Sequence, residues 1–261
     1  MKVFKFHQFI KLERGQVNTA IIDFLRKSVF HIDNNTLDLF ENKKYEKIKD
    51  FIQLANKQEL LLEVDQDKWI PSINFDNENQ KDNLYSFDLI IEERVDLDII
   101  KEKFSYCEIP RIIIYRKRNG ENEKMITKNI IRKRKDFSSC IKMCTVNGCF
   151  NNHISEDYYR FNMRYNSCWG KKITVTNDYE IKPCIFSNIV ISRIDEDSID
   201  DIIKKIKRYW FLTKNKITKC KDCEFKYICF DCREIARKSK NDLYAENPYC
   251  SYDPFKGIWA I

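Results

Sequence analysis

CKDCEFKYICFDC, residues 220–232, sets Cys220, Cys223, Cys229 and Cys232 in a C-x2-C-x5-C-x2-C block, and REIARKSKNDLYAENPYC (233–250) runs on to a further cysteine, Cys250. Core packing gives no reason for repeated two-residue gaps, because a free cysteine packs simply as a small hydrophobe. Thiolates two residues apart can both point at one ion or cluster, since the backbone between them curls and turns its N–H groups toward the sulfurs. The block therefore predicts a metal or cluster site.

The rest of the composition agrees with ligation rather than bridging. Eleven cysteines in 261 residues is an odd number. A chain of this length buries a core without needing disulfides. The opening MKVFKFHQFIKLERG is broken by Lys5, His7 and Lys11, so no signal-peptide core is expected. No segment approaches the roughly 20 apolar residues of a membrane helix, and no membrane partner is expected. The expected location is the cytoplasm, a reducing compartment. The net charge of +7 is concentrated at Arg116, Lys117, Arg118, Lys124, Lys128, Arg132, Lys133, Arg134 and Lys135. Such a run suits a solvated face or an acidic peptide; no nucleic-acid motif accompanies it, and nucleic acid is not an expected partner.

Upstream, VFKFHQFIK (2–10) alternates as a strand, and NTAIIDFLR and SVFHID read as two strands turning near Arg26–Lys27. Asn35 is the expected N-cap of a short helix, TLDLFEN. KKYEKIKDFIQLANK is a second helix, with Tyr45, Ile48, Phe51, Ile52 and Ala55 on one face, and ELLLEVD a closing strand. Residues 1–80 thus predict a small winged-helix-like unit, of a size that can take up a peptide by strand addition. In 81–160, FDLIIEER (87–94), VDLDIIKEKF (95–104) and PRIIIYRKR (110–118) form a β-α-β unit, hence a partial parallel β/α region too short for an eight-fold barrel. Cys107 reads as an incidental thiol, and His7, His31 and His153 are too scattered to be ligands.

In 161–261, KKITV and YEIKP form a β-hairpin turning at Asn177–Asp178, with Cys168 and Cys184 near its outer ends. Residues 195–214 are a helix, acidic at its start and basic toward its end, which complements the helix dipole. The expected fold class is α/β in the broad sense (α+β), closed by a cysteine-rich domain.

Cys168…Cys184…Cys220-x2-Cys223-x5-Cys229-x2-Cys232…Cys250 resembles the SPASM domain, the C-terminal extension of many radical-SAM peptide-modifying enzymes. CKDCEFKYICFDCRE, the ending YCSYDPFKGIW and the opening NTAIIDFLRKSVFHIDNNTLDLF resemble the SPASM proteins of grasp-with-spasm systems. The likeness is strong over roughly 165–261 and weak in the middle of the chain. It implies two 4Fe–4S clusters, a precursor peptide, and an ATP-grasp ligase as partner. By position, Cys220, Cys223, Cys229 and Cys250 would hold one cluster. Cys168, Cys184 and Cys232 would hold the other, with Cys149 nearest to the fourth place. The sequence departs from the wider family in the two-residue gap Phe230–Asp231, where three is usual, and in Tyr179, where a glycine is expected. The radical-SAM signature C-x3-C-x2-C has no match; Cys140-x3-Cys144-x4-Cys149 has the wrong last gap and lies too late.

The resemblance therefore implies an iron–sulfur protein assisting peptide maturation, without radical-SAM chemistry of its own. The alternatives are a zinc-binding interaction module, because two C-x2-C pairs also suit tetrahedral zinc, and a degenerate radical-SAM enzyme. No catalytic residue stands out, and no Gly-rich phosphate loop is present.

Overall fold

The computed structural model describes residues 2–75, 82–115, 130–133 (backbone) and 154–259. It is a mixed α and β structure, as expected. The stretch 2–10 is not one strand. β1 (Lys2–Phe6) pairs antiparallel with β5 (Leu61–Asp65), while β2 (Ile10–Arg14) starts after a turn in which the Ile10 N–H donates to the His7 carbonyl at 3.1 Å. β2, β3 (Asn18–Asp23) and β4 (Ser28–Asp33) then form an antiparallel meander whose β3–β4 turn falls at Arg26–Lys27. α1 (Asn34–Glu41) is capped by Asp33 rather than Asn35. The Asp33 carboxylate reaches both the Thr36 N–H at 2.9 Å and the Thr36 hydroxyl at 2.7 Å, two bonds that hold its acidity stronger than usual. A single 3-10 turn at Tyr45–Lys47 precedes α2 (Lys49–Lys57), so the second predicted helix is split.

β3 is the hinge between the two ends of the chain because its alternation serves two cores. Ile21 points to Phe40, Ile48, Ile52 and Leu60 within the N-terminal unit. Ala20 and Ile22 point the other way, to Phe225, Ile228 and Tyr252 of the cysteine-rich tail. Each such isoleucine contributes about 1.5–3 kcal/mol by burial. The β2–β3 turn adds a backbone tie, Gln16 N–H to the Asp222 carbonyl at 2.9 Å. Gly15 in that turn has no room for a side chain: a Cβ would lie 2.8 Å from the backbone nitrogen of Glu224 and 2.6 Å from its Oε2. Gly15→Ala is therefore expected to cost about 1–3 kcal/mol, read as a lower urea midpoint at unchanged m-value; an unmoved midpoint would show that this turn is not pressed onto the tail.

β6 (Asp88–Glu92), α3 (Leu97–Lys103) and β7 (Ile112–Tyr115) make the expected parallel unit. β8 (Ile130–Lys133) continues it beside β7. The predicted hairpin, β9 (Lys172–Val175) and β10 (Glu180–Lys182), is present, and it joins the same sheet. β9 lies parallel to β6, in register Leu89↔Ile173 and Ile91↔Val175, and β11 (Ser192–Arg193) closes the order β11-β10-β9-β6-β7-β8. One six-stranded sheet thus takes strands from both the 81–160 and the 161–261 stretches. Its apolar face, with Leu89, Ile91, Ile173, Val175 and Ile181, is covered by α3 and by α5 (Ile199–Trp210). α5 is shorter than the predicted 195–214 because Ser198 caps it, accepting from the Asp201 N–H, and Phe211 ends it. α4 (Glu156–Arg164), α6 (Arg233–Lys240) and a final hairpin of β12 (Tyr252–Asp253) and β13 (Ile258–Trp259) complete the described elements.

Candidate metal centre

Three turns and one helix start carry the tail cysteines. Cys220 opens a 3-10 turn, Cys220–Asp222, entered through Lys219 at φ 68°, and Cys223 follows it. The Cys223 N–H donates to the Cys220 carbonyl at 3.1 Å, and the Cys229 N–H to the Phe225 carbonyl at 2.9 Å. The chain between the two C-x2-C pairs is therefore curled. The Phe225 N–H reaches the Cys223 Sγ at 3.4 Å, a backbone donor aimed at sulfur. Cys232 is the N-cap of α6, and Cys250 ends a turn in which its N–H donates to the Asn247 carbonyl at 3.0 Å.

Two sets of contacts link the tail cysteines, and Cys184 packs beside members of both. Cys220 lies within electrostatic range of Cys229 and Cys250, and Cys223 within range of Cys229. In the second set the thiols of Cys168 and Cys232 hydrogen-bond to each other. Cys184 shares with Cys168 and Cys220 an apolar nest built from Trp169, Tyr209, Leu212 and Ile217. So Cys232 meets the upstream thiol of Cys168. Cys149 lies outside the described residues, as do Cys140, Cys144, His153 and most of the basic run.

The contact between Cys168 and Cys232 is arranged by Asn166. Its Oδ1 accepts the N–H groups of Cys168 (2.9 Å) and Trp169 (2.7 Å), forming the turn that presents Cys168. Its Nδ2 donates to the Leu212 carbonyl (3.1 Å) and to Asp231 Oδ2 (2.9 Å), in the gap between Cys229 and Cys232. The Asp231 N–H in turn donates to the Ser167 hydroxyl at 2.7 Å. Asp231, 1% exposed, receives Arg233 Nη2 at 2.5 Å, and Arg233, fully buried, also donates to the carbonyls of Leu243 and Ala245. Arg233 thereby connects the Cys232 loop to the segment that leads to Cys250. Sequence reasoning missed Asn166, Asp231 and Arg233; the signal lay in Asp231, an acid enclosed by a C-x2-C pair with an arginine two residues on.

Tyr179, where the resemblance led to an expected glycine, has a φ of 59°, in the left-handed region that glycine enters at least cost. Its N–H donates to the Thr176 carbonyl at 2.9 Å, so the hairpin turn closes despite the side chain.

The electrostatics are those of buried thiols facing one cation. Burial pushes Cys220 up to about 11, against the pull of Lys214. Burial also raises Cys223, while Cys168 is raised first by its bond to Cys232 and then by burial. Lys214 is only 8% exposed, and its Nζ donates to the Cys229 Sγ at 2.9 Å. Burial alone would lower this lysine, but Cys229, Cys220 and Asp231 together hold it charged. Trp169, in the nest shared by Cys168, Cys184 and Cys220, has an indole N–H with no hydrogen-bond partner among the described residues.

This donor set fits a thiolate-ligated anionic group. Every candidate ligand is sulfur, a buried ammonium stands against one of them, and a buried N–H donor awaits an acceptor. Among the described residues, no three His, Cys, Asp or Glu side chains converge as one metal ion requires. The remaining histidines and Cys107 among the described residues have other neighbours. His7 faces Asp23 at 3.5 Å, His31 packs on Phe225, and burial pushes Cys107 up to about 11.

No protein-family model matches the chain, and no solved structure matches it. Among curated proteins, the AdoMet-dependent heme synthase of Nitratidesulfovibrio vulgaris is 28% identical over 82 residues. That likeness covers 31% of this chain and 22% of the relative, so the chain spans less than a quarter of the protein it matches. It supports kinship with radical-SAM and SPASM-type proteins at most. Among the described residues, no helix is long and apolar enough to cross a membrane.

Proposed function

We propose that this chain is an iron–sulfur protein of the SPASM type that assists maturation of a ribosomally made peptide, together with an ATP-grasp ligase. The observation that supports the reading is the closeness of the tail cysteines, with Cys168 bonded to Cys232, Cys220 near Cys229 and Cys250, and the buried ammonium of Lys214 on the Cys229 sulfur. Cys220, Cys223, Cys229 and Cys250 would hold one 4Fe–4S cluster. Cys168, Cys184 and Cys232 would hold the other, with Cys149 as its fourth ligand. When bound, such clusters supply one-electron transfer or a Lewis-acidic iron.

The protein's own residues do the holding. Asn166 and Arg233 tie the cysteine-bearing turns together, and the apolar nest around Trp169 packs against Cys168, Cys184 and Cys220. Because Cys220 sits at about 11 and Cys223 and Cys168 are raised too, loading displaces protons from these thiols. The partial likeness to an AdoMet-dependent enzyme supports the iron–sulfur class. AdoMet cleavage itself is not carried over, because the chain has no C-x3-C-x2-C.

A groove of about 480 Å3 lies between β4 and α2, lined by Val29, Phe30, Phe51, Leu54, Phe225 and Trp259 among others. An extended precursor segment laid along β4 would find backbone partners on the strand and apolar pockets beside it. The groove ends on Phe225 and Trp259 of the tail, so a peptide held there would lie next to the cysteine block.

The test is anaerobic reconstitution of the full chain with iron and sulfide, with metal counting and EPR. The expected result is a brown protein with about eight irons. Added precursor should bind, and Leu54→Asp should weaken that binding without changing the iron count. A colourless chain carrying stoichiometric zinc would overturn the cluster reading. Formation of 5′-deoxyadenosine from AdoMet under reduction would overturn the assignment of bond-making chemistry to a partner.

A further inference from the structure

Lysine is rarely buried unless paired, and the usual partner is a carboxylate. Lys214 breaks that pattern. It leaves the 3-10 turn Lys214–Lys216 just after α5 and is buried. Its hydrogen bond goes to the sulfur of Cys229 at 2.9 Å. No carboxylate among the described residues lies within ion-pair distance of it. Asp231, which contributes to its field, already has one oxygen bonded to Arg233 and the other to Asn166. A buried ammonium against a neutral thiol would leave a charge uncompensated in the interior. The position makes physical sense when Cys229 is an anionic ligand.

We propose that Lys214 is a positioning charge that raises the reduction potential of the cluster held by Cys220, Cys223, Cys229 and Cys250. The inference rests on the cluster assignment above. A thiolate-ligated cluster is already anionic, and reduction adds one further negative charge. A fixed positive charge and a hydrogen bond at a ligand sulfur stabilise the reduced state more than the oxidised one. No bond to Lys214 is made or broken; in a titration the electron comes from dithionite. Asn215, the next residue, donates to the Tyr227 hydroxyl at 2.7 Å, which helps hold the turn against the block.

The experiment is an EPR-monitored redox titration of the reconstituted full chain, comparing the natural protein with Lys214→Met, Lys214→Gln and Lys214→Arg at equal iron content. In Lys214→Met and Lys214→Gln, one of the couples should shift downward. At fixed potential the reduced-to-oxidised ratio should drop at least tenfold, about 59 mV for a one-electron couple. Lys214→Arg keeps the charge and should retain most of the potential. The other couple should not move. If Lys214→Met takes up no iron, Lys214→Gln carries the comparison. Loaded variants with an unmoved potential overturn the role of Lys214, and so does loss of iron in all three variants, Lys214→Arg included, which would make the residue structural. A natural protein that takes up no iron overturns the cluster reading itself, a distinguishable failure.

Discussion

Cys229→Ser and Cys232→Ser, made together, are expected to strip the chain of nearly all its iron, while either change alone leaves about four of about eight irons. The two residues are three apart in sequence but make different contacts in space, and the assignment proposed above gives them to different clusters. Cys229 faces Lys214 and Cys220, whereas Cys232 bonds to the thiol of Cys168 across a separation of 64 residues. If instead the C-x2-C-x5-C-x2-C block closed on a single cluster, the two substitutions would disable the same site. The double variant would then keep as much iron as either single one. Iron and sulfide counts on three anaerobically reconstituted variants decide between these arrangements without any activity assay. A double variant that retains about four irons would refute the interleaved assignment.

Arg233→Met is expected to destabilise the fold by about 3–5 kcal/mol, because it leaves the Asp231 carboxylate buried without its cation. Both side chains are sealed from solvent, 0% and 1% exposed, so water does not replace the lost partner. The change also removes the donors to the Leu243 and Ala245 carbonyls, loosening the approach to Cys250. Adding Asp231→Asn should return part of the loss, since the amide carries no charge and can still meet Asn166. The pair should therefore be clearly less costly than the sum of the singles. Denaturant midpoints for the four species measure this directly, and simple additivity would show that the two groups do not act as a pair. Iron retention in Arg233→Met should fall as well, because Asp231 lies in the loop that places Cys232 beside Cys168.

Much of the local structure was legible in the sequence, for a physical reason: strand and helix periodicities are local. NTAIID and SVFHID alternate and turn at Arg26–Lys27, FDLIIEER and PRIIIYRKR flank a short helix, and KKITV and YEIKP close a hairpin. The misses were equally local in origin. The 2–10 stretch keeps its alternation through a turn that sends β1 and β2 to different partners, and α4, EDYYRFNMR, mixes aromatic and charged residues too evenly to signal a face. Asn35 looked like a cap, but Asp33 stands at the position whose carboxylate reaches the Thr36 N–H.

By itself the sequence determined that the chain concentrates thiols at ligand spacing near its C-terminal end, and that it lacks the radical-SAM signature. Spacing along a chain says which thiols can reach a common point, but not which thiol outside the block will meet them. That was decided by tertiary packing. β9 joins β6 and brings the Cys168 turn to the tail; Asn166 then binds that turn to Asp231, and the end of α5 delivers Lys214 to Cys229. These pairings depend on apolar faces buried between elements far apart in sequence and on polar groups that must find partners once buried. Neither requirement leaves a periodic trace in the sequence.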